Sequence, residues 1–325
     1  MASNQDTMKA IRLERDSPDT PPTVSLATVP KPKLIPNHVI VKVRASAIHP
    51  SDQMNARGGF PYTTFPRIAG RDWAGVVVEG KAALVGLEVF GTSGNTHAFT
   101  TDGFQAEYTL VHEDALTQKP KNLSFVQAAT VGVPYTTASI EIEKAGIKKT
   151  DTVLVIGSSG AVGSAVVQLA KGTGARVLEA SRQSNTDVNT ATDPELKVLD
   201  ELTNGKGVDV IIDTVGSPAL VTSALAKLAL DGRFVFISAP KTGSTEITID
   251  LRYFYRKDLS LYGVNSLNAT TAEMAKRLDG MLEFFNSEFF QGRSNWKTVP
   301  LAEAGKVYEN IIKNGDTGKY VVVME

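Results

Sequence analysis

The sequence predicts an α/β protein built from a doubly wound parallel-sheet domain and a second, β-rich domain. Three observations lead there. From Asp151 onward, unbroken apolar strands alternate with helical stretches. One of those strands runs straight into glycines spaced by three, Gly157, Gly160 and Gly163. Short strands broken by prolines fill the first third of the chain. A length of 325 residues is enough for two proper cores.

The polar start, Met1 to Lys9, carries Asp6 and lacks the basic-then-apolar order of a signal peptide. No apolar run nears the ~20 residues that span a bilayer, so a cytoplasmic location is the expectation. Residues 39–45 and 73–78 read as strands, with Pro30, Pro32, Pro36, Pro50, Pro61 and Pro66 marking the turns around them. Ser124 is a good N-cap for a helix over residues 125–129. Strands follow at 153–156, 175–180, 208–213 and 233–238, and helices at 162–171, 194–202 and 219–229. This βαβα order implies a parallel sheet. The segment 183–192 is rich in Ser, Asn, Thr and Asp and reads as a loop in place of a helix and part of a strand. A long helix over 271–285 and a last strand over 319–324 do not fit that sheet. The tail is therefore expected to return to the first domain, which makes residues 124–266 the nucleotide-binding domain and residues 1–123 with 267–325 the β-rich one.

Composition narrows the partners. Net charge is −1, from 34 basic and 35 acidic residues, so no field of one sign is available to attract nucleic acid or anionic lipid. A small-molecule substrate is the expected partner. Cysteine is absent, which removes disulfides, thiolate zinc ligands and a catalytic thiol.

The segment Gly157-Ser158-Ser159-Gly160-Ala161-Val162-Gly163 carries the sharpest signal. Glycines let backbone N–H groups approach a pyrophosphate and let the helix pack tightly on the strand, while the positive helix end faces the anion. A bare tight turn is the bland reading of such glycines, but the strand before and the helix after favour a dinucleotide. The following strand ends at Ser181-Arg182, about 20 residues past the turn, where an NAD site places an acid on the ribose 2′-hydroxyl. Here Glu179 lies two residues short of the tip, and the tip offers a hydroxyl and a guanidinium suited to a 2′-phosphate. NADPH is the expected cofactor. Val215 and Ser238 follow the next two strands and fall on the same carboxyl edge.

With these residues in view, the chain resembles the medium-chain dehydrogenase/reductase superfamily, and within it the zinc-independent quinone oxidoreductase (zeta-crystallin-like) and enoyl reductase branch. The markers are Ala47-Ile48-His49-Pro50-Ser51-Asp52, Ala69-Gly70-Arg71-Asp72-Trp73-Ala74-Gly75, Gly103-Phe104-Gln105-Ala106-Glu107-Tyr108, Val131-Gly132-Val133-Pro134-Tyr135-Thr136-Thr137-Ala138, the glycine turn, Gly205-Lys206-Gly207-Val208-Asp209 and Thr317-Gly318-Lys319-Tyr320. The resemblance implies a GroES-like catalytic domain made from both chain ends, a central Rossmann domain, and a cleft between them for nicotinamide and substrate. Zinc relatives place Cys where His49 stands, His where Arg71 stands and Cys near Val133, so the resemblance implies chemistry without a metal. It also brings Asn265 beside the nicotinamide and Lys319 to the cofactor phosphates, a surface lysine being the alternative for the latter. The segment 258–263 is expected to pair with its copy in a homodimer.

Hydride addition to an enone or quinone develops negative charge on oxygen and calls for a proton, so donors are needed near the reacting carbon. Tyr135 lies in the segment that resembles the nicotinamide wall, as an oxyanion donor or as a packed aromatic. Tyr62 lies on the expected substrate loop. His49 carries an imidazole, a side-chain type able to deliver a proton at neutral pH, or serves as the turn residue before a helix starting at Pro50. His38, His97 and His112 read as surface residues. Three functions remain open: an NADPH-dependent reductase of quinones or α,β-unsaturated carbonyls, a trans-acting enoyl reductase on carrier-bound acyl or polyketide chains, and a non-catalytic NADPH-binding protein.

Overall fold

The computed structural model describes residues 6–240, 242–292 and 296–325. The chain divides into two compact units. The second holds Pro134–Ser266 and Ser287–Gln291, and the first holds the rest. The division thus falls ten residues later than the composition change at residue 124, because the capped turn Phe125–Ala128 packs on strands of the first unit.

The second unit is a six-stranded parallel sheet in the order Val188–Asn189, Arg176–Ser181, Thr152–Ile156, Val208–Asp213, Leu228–Phe236, Ser260–Gly263. Thr152–Ile156 is central, and its residues Val153 to Ile156 are fully buried, which is why the run is apolar without alternation. Strand order reverses at this strand, so the crevice at its carboxyl end is where such a sheet takes a ligand. Leu154, Ile156, Leu178, Ile211 and Phe234 anchor the core, each stabilising the fold by about 1.5–3 kcal/mol through burial.

Several element bounds differ from the sequence reading. The helix expected at 194–202 is only Val198–Leu202: the Asp193 carboxylate accepts the Lys197 and Val198 N–H groups, and Leu196 takes a φ of 55°. The loop 183–192 keeps a short strand, Val188–Asn189, paired with Arg176–Ser181. The helix expected at 219–229 is Pro218–Leu225. Leu228, fully buried, already pairs with Val208 and starts the next strand five residues before the position expected.

In the first unit the strands run Lys297–Pro300, Tyr320–Val323, His38–Ile48, Asp72–Glu79, Glu88–Thr92, Thr117–Gln118, with Tyr108–His112 also on His38–Ile48. A three-stranded sheet is formed by Thr23–Pro30, Thr7–Glu14 and Arg67–Ile68. The last strand lies antiparallel on His38–Ile48, with Tyr320 opposite Ile48 and Val323 opposite Ala45, so the tail completes the sheet begun near the chain start. Trp73 stacks on Phe104 at 5.3 Å, and Tyr308 donates to Gln105 Oε1 at 2.9 Å inside this core. The helix expected at 271–285 is two, Thr271–Asp279 and Leu282–Phe285, broken at Gly280. His97 corrects another expectation: it is buried, stacks on Phe104 at 4.7 Å, and pairs through Nδ1 with the Asp102 carbonyl at 2.7 Å. No helix among the described residues is long and apolar enough to cross a membrane.

Candidate active site

The glycine turn sits at the carboxyl end of the central strand. Gly157 has a φ of +81°, a conformation open to glycine at little cost, and its N–H and that of Ser158 donate to the Ala180 carbonyl at 2.8 and 3.1 Å. Gly160 caps the helix Ala161–Gly172 in an extended conformation. A Cβ on Gly163 would stand 2.1 Å from the Gly157 carbonyl oxygen, so the helix meets the turn backbone to backbone. Ser159 is exposed and faces a cavity, whereas Ser158 is buried with its Oγ lacking a partner among the described residues. An orphan hydroxyl beside a helix amino end fits a pyrophosphate, whose oxygens would accept from it. Ala161, Val162 and Gly163 form the first helical turn aimed at that spot.

The turn opens on a cavity of 740 Å³ lined also by Ser181, Arg182, Thr190, Glu195, Thr214 and Val215. Arg182 is exposed there and makes no hydrogen bond or ion pair with any described residue. Ser181 is buried at the strand end, and its Oγ accepts the Gln183 N–H at 3.0 Å. The nearest acid on the strand, Glu179, is held by Lys171 at 2.9 Å. Val215 is 45% exposed on the cavity, with its N–H donating to Asp213 Oδ1 at 2.9 Å. Ser238 follows the strand Leu228–Phe236, and Asn265 follows Ser260–Gly263 by two residues. Both therefore lie at the carboxyl edge of the same sheet. These residues fit a nicotinamide dinucleotide: a backbone cradle, an orphan hydroxyl and an unengaged guanidinium.

In the first unit, His49 ends the strand His38–Ile48 and precedes the helix Pro50–Ala56, so it is the turn residue the sequence allowed. It is also 1% exposed, and its Nε2 lies 2.7 Å from Asp72 Oδ2. Its Nδ1 is buried without a partner among the described residues, and the Trp296 ring meets the imidazole edge-on at 5.4 Å. Asp72 also takes the Val133 N–H, at 2.8 Å to Oδ1 and 2.7 Å to Oδ2. The Asp52 carboxylate takes the His49 N–H at 2.8 Å. Arg71 is buried, with Nε on Ser93 Oγ and Nη1 on Ser51 Oγ, both at 2.9 Å. The segments where zinc ligands would stand thus present an imidazole held by a carboxylate, a fixed cation and a backbone donor. That donor set does not fit zinc, and the described residues hold no cluster of three His, Cys, Asp or Glu able to bind a metal.

Asp52, Asp72 and Ser93 were missed as site residues in the sequence. Asp52 and Asp72 lie within the quoted motifs, but their burial could not be read there. Burial pushes the Asp52 carboxyl up to about 6 from 3.8, with His49 and Arg71 opposing. A folded pKa above the unfolded one means that stability is fully present below about pH 4 and is lost as pH rises toward 6. About two units correspond to ~3 kcal/mol. Denaturant unfolding between pH 4 and 7 should show wild type losing that much relative to Asp52→Asn; parallel pH curves for the two proteins would refute it.

Tyr135 is 0% exposed, its hydroxyl donating to Gln168 Oε1 at 3.0 Å and its ring 5.7 Å from Phe290. That placement is the packed aromatic of the two alternatives, since its proton is committed within the core. Tyr62 is 44% exposed and packs against Phe60 and Phe99 at 5.7 and 5.4 Å; partial burial raises its phenol pKa, with Arg71 opposing. Lys319 precedes the strand Tyr320–Val323, its carbonyl accepting the Lys297 N–H, and belongs to the first unit whereas the glycine turn belongs to the second.

Comparison with known proteins agrees with this geometry. Residues 35–121 match the alcohol dehydrogenase GroES-like domain, and residues 161–285 match the zinc-binding dehydrogenase family. A zinc-type alcohol dehydrogenase-like protein of Schizosaccharomyces pombe is 44% identical over 98% of this chain and 97% of its own length. The quinone oxidoreductase of Sus scrofa is 29% identical over 100% of both chains. The 2-methylene-furan-3-one reductase of Solanum lycopersicum is 36% identical over 58% of this chain and 47% of its own. Among solved structures, an alcohol dehydrogenase superfamily protein from Novosphingobium aromaticivorans superposes with a TM-score of 0.82 at 25% identity, covering 98% of this chain and 100% of its own. With a parallel sheet and glycine turn in one unit, a GroES-like sheet in the other and relatives along its whole length, the chain belongs to the medium-chain dehydrogenase/reductase superfamily and resembles its quinone oxidoreductase branch.

Proposed function

We propose that this chain is a zinc-free, NADPH-dependent oxidoreductase that reduces quinones or the C=C bond of α,β-unsaturated carbonyls. The observation that carries the reading is the unengaged Arg182 guanidinium on the cavity that opens from the glycine turn. A cation and no acid at that position favours a 2′-phosphate over a free ribose hydroxyl. In this reading the first turn of Ala161–Gly172 and Ser158 Oγ hold the pyrophosphate, and Arg182 holds the 2′-phosphate. Asn265, Val215 and Ser238 line the rest of the sheet edge. When bound, the reduced nicotinamide supplies the hydride.

The chain's own residues handle the proton and the charge. Asp72 orients the His49 ring through Nε2, which leaves Nδ1 as the nitrogen that exchanges a proton. The Trp296 ring packs edge-on against the same imidazole at 5.4 Å. Tyr62 offers an exposed aromatic surface for a planar substrate, and Tyr135 supports its helix from within the core. Support for the substrate class comes from the names of the relatives, a quinone oxidoreductase and a furanone reductase, since both substrates accept hydride at a conjugated carbon. Support for zinc independence comes from Arg71 and Val133 at the positions of two ligands.

The test is NADPH against NADH oxidation with a short enone, an ortho-quinone, an enoyl thioester and a simple ketone. NADPH consumption with the enone or quinone is expected, and His49→Gln should lower it by about 100-fold with NADPH affinity unchanged. Turnover confined to the thioester would favour the carrier-bound substrate. Tight NADPH binding with no turnover at all would make the chain a binding protein.

A further inference from the structure

Arg71 is a cation with 4% of its surface exposed, and its surroundings leave its charge unspent. A buried arginine is ordinarily matched by a carboxylate across its fork. Here no carboxylate oxygen among the described residues lies within ion-pair distance of it. The two acids near enough to act on it, Asp52 and Asp72, are turned to other donors: Asp72 to His49 Nε2 and the Val133 N–H, and Asp52 to the His49 N–H. Only neutral hydroxyls touch the guanidinium, Ser93 at Nε and Ser51 at Nη1. These two bonds fix its plane. Nη2 has no hydrogen bond among the described residues, and it is not among the fully sealed atoms.

The same group lies against an aromatic cluster. Its carbon sits over the Phe99 ring at 5.4 Å, and Phe99 packs with Phe60 at 5.1 Å and with Tyr62 at 5.4 Å. Tyr62 keeps 44% of its surface open. Phe99 itself is fully buried, so the open face of the cluster is the Tyr62 ring packed on it. A fixed, partly open N–H edge near that ring matches a planar conjugated carbonyl, ring on Tyr62 and oxygen on the cation.

We propose that Arg71 is the electrophilic residue of the reaction, its Nη2 receiving the carbonyl oxygen of the acceptor. This rests on the reduction of quinones or enones put forward above. A hydride from the reduced nicotinamide dinucleotide forms the new C–H bond at the conjugated carbon. The C=C electron pair moves to join that system to the carbonyl carbon, and the C=O π pair moves onto oxygen. The resulting enolate or phenolate oxygen is held by the guanidinium until a proton arrives at carbon or at oxygen. The acceptor gains two electrons and the dinucleotide loses two. Arg71 thereby supplies as fixed charge what a metal supplies in zinc relatives.

Two measurements decide it. In the first, Arg71→Met and Arg71→Ala are compared with wild type for enone and quinone reduction, with NADPH affinity followed by fluorescence. Removing one preorganised oxyanion donor costs about 10²–10³ in kcat, so Arg71→Met should lose that much while binding NADPH normally. Guanidinium ion added to Arg71→Ala at millimolar concentration should restore at least about tenfold, which a purely structural arginine would not show. Folded variants with kcat within threefold of wild type would overturn the proposal.

The second measurement needs no turnover and no variant. Titrating 4-nitrophenol into wild type should show it bound as the phenolate, its apparent pKa lowered by about one unit, an effect of ~1.4 kcal/mol. Binding as the neutral phenol, or no binding at all, would overturn the proposal even if the substituted proteins failed to fold. If wild type reduced none of the acceptors while the phenolate still bound, the reductase reading would fail and the oxyanion site at Arg71 would stand.

Discussion

Gly163→Ala should destabilise the protein by about 3 kcal/mol or more and weaken NADPH binding by at least about 100-fold. The added methyl would stand 2.1 Å from the Gly157 carbonyl oxygen, 2.7 Å from its carbon and 3.1 Å from Ser158 Cα. All three are backbone atoms of the turn, so no side chain can rotate away to make room. Either the helix Ala161–Gly172 lifts from the strand Thr152–Ile156 or the turn is pushed out of shape. Both responses remove the close approach on which the phosphate cradle depends. Gly280→Ala is the control, because Gly280 has a helical φ of −64° and its nearest neighbour to an added Cβ is at 3.5 Å. It should be neutral or slightly stabilising, by up to about 1 kcal/mol. Urea unfolding and NADPH fluorescence titration on both variants provide the comparison. An unfolding midpoint and affinity equal to wild type for Gly163→Ala would show that the turn has slack the geometry denies.

Arg182→Glu should reverse the cofactor preference. The guanidinium has no partner among the described residues to lose, so the substitution leaves no stranded group behind and stability should change by less than about 0.5 kcal/mol. Its expected effect is on the ligand alone. Charge-assisted hydrogen bonds to phosphate contribute about 1.5–3 kcal/mol, and the new carboxylate repels the 2′-phosphate while accepting from a ribose hydroxyl. NADPH affinity should fall about 100-fold and NADH affinity should rise, with the wild-type advantage for NADPH shrinking at high salt because Arg182 is exposed. Equal NADPH and NADH affinities in wild type, or an unchanged ratio in the variant, would remove Arg182 from the 2′-phosphate site.

Features governed by neighbours in the chain could be read directly. The glycine turn is legible because strand, glycines and helix occur within about 20 consecutive residues, and each glycine answers to a local demand. The Ser124 cap and the start of the helix Pro50–Ala56 were legible for the same reason. Where the reading slipped, a contact from elsewhere had won. The helix before Leu202 is shortened by the Asp193 carboxylate and the left-handed Leu196, and the strand Leu228–Phe236 begins early because Leu228 is drawn into the core beside Val208. His97 looked like a surface residue, but Phe104 and the Asp102 carbonyl bury it.

Residue types and their order by themselves determined an α/β chain, a glycine turn between strand and helix, a cationic strand tip in place of an acidic one, and the absence of any thiolate ligand. These properties depend on periodicity and short spacing, which the chain carries whatever its fold. Only the tertiary structure decided what the polar residues near the chemistry do. It joined Asp72 to His49, 23 positions away, and to Val133, 61 positions away. It left Arg71 on two serine hydroxyls, sank Tyr135 into the core and tied Glu179 to Lys171. The physical reason is that charge and hydrogen bonding depend on distance and on exclusion of water, and both are set when remote segments pack together.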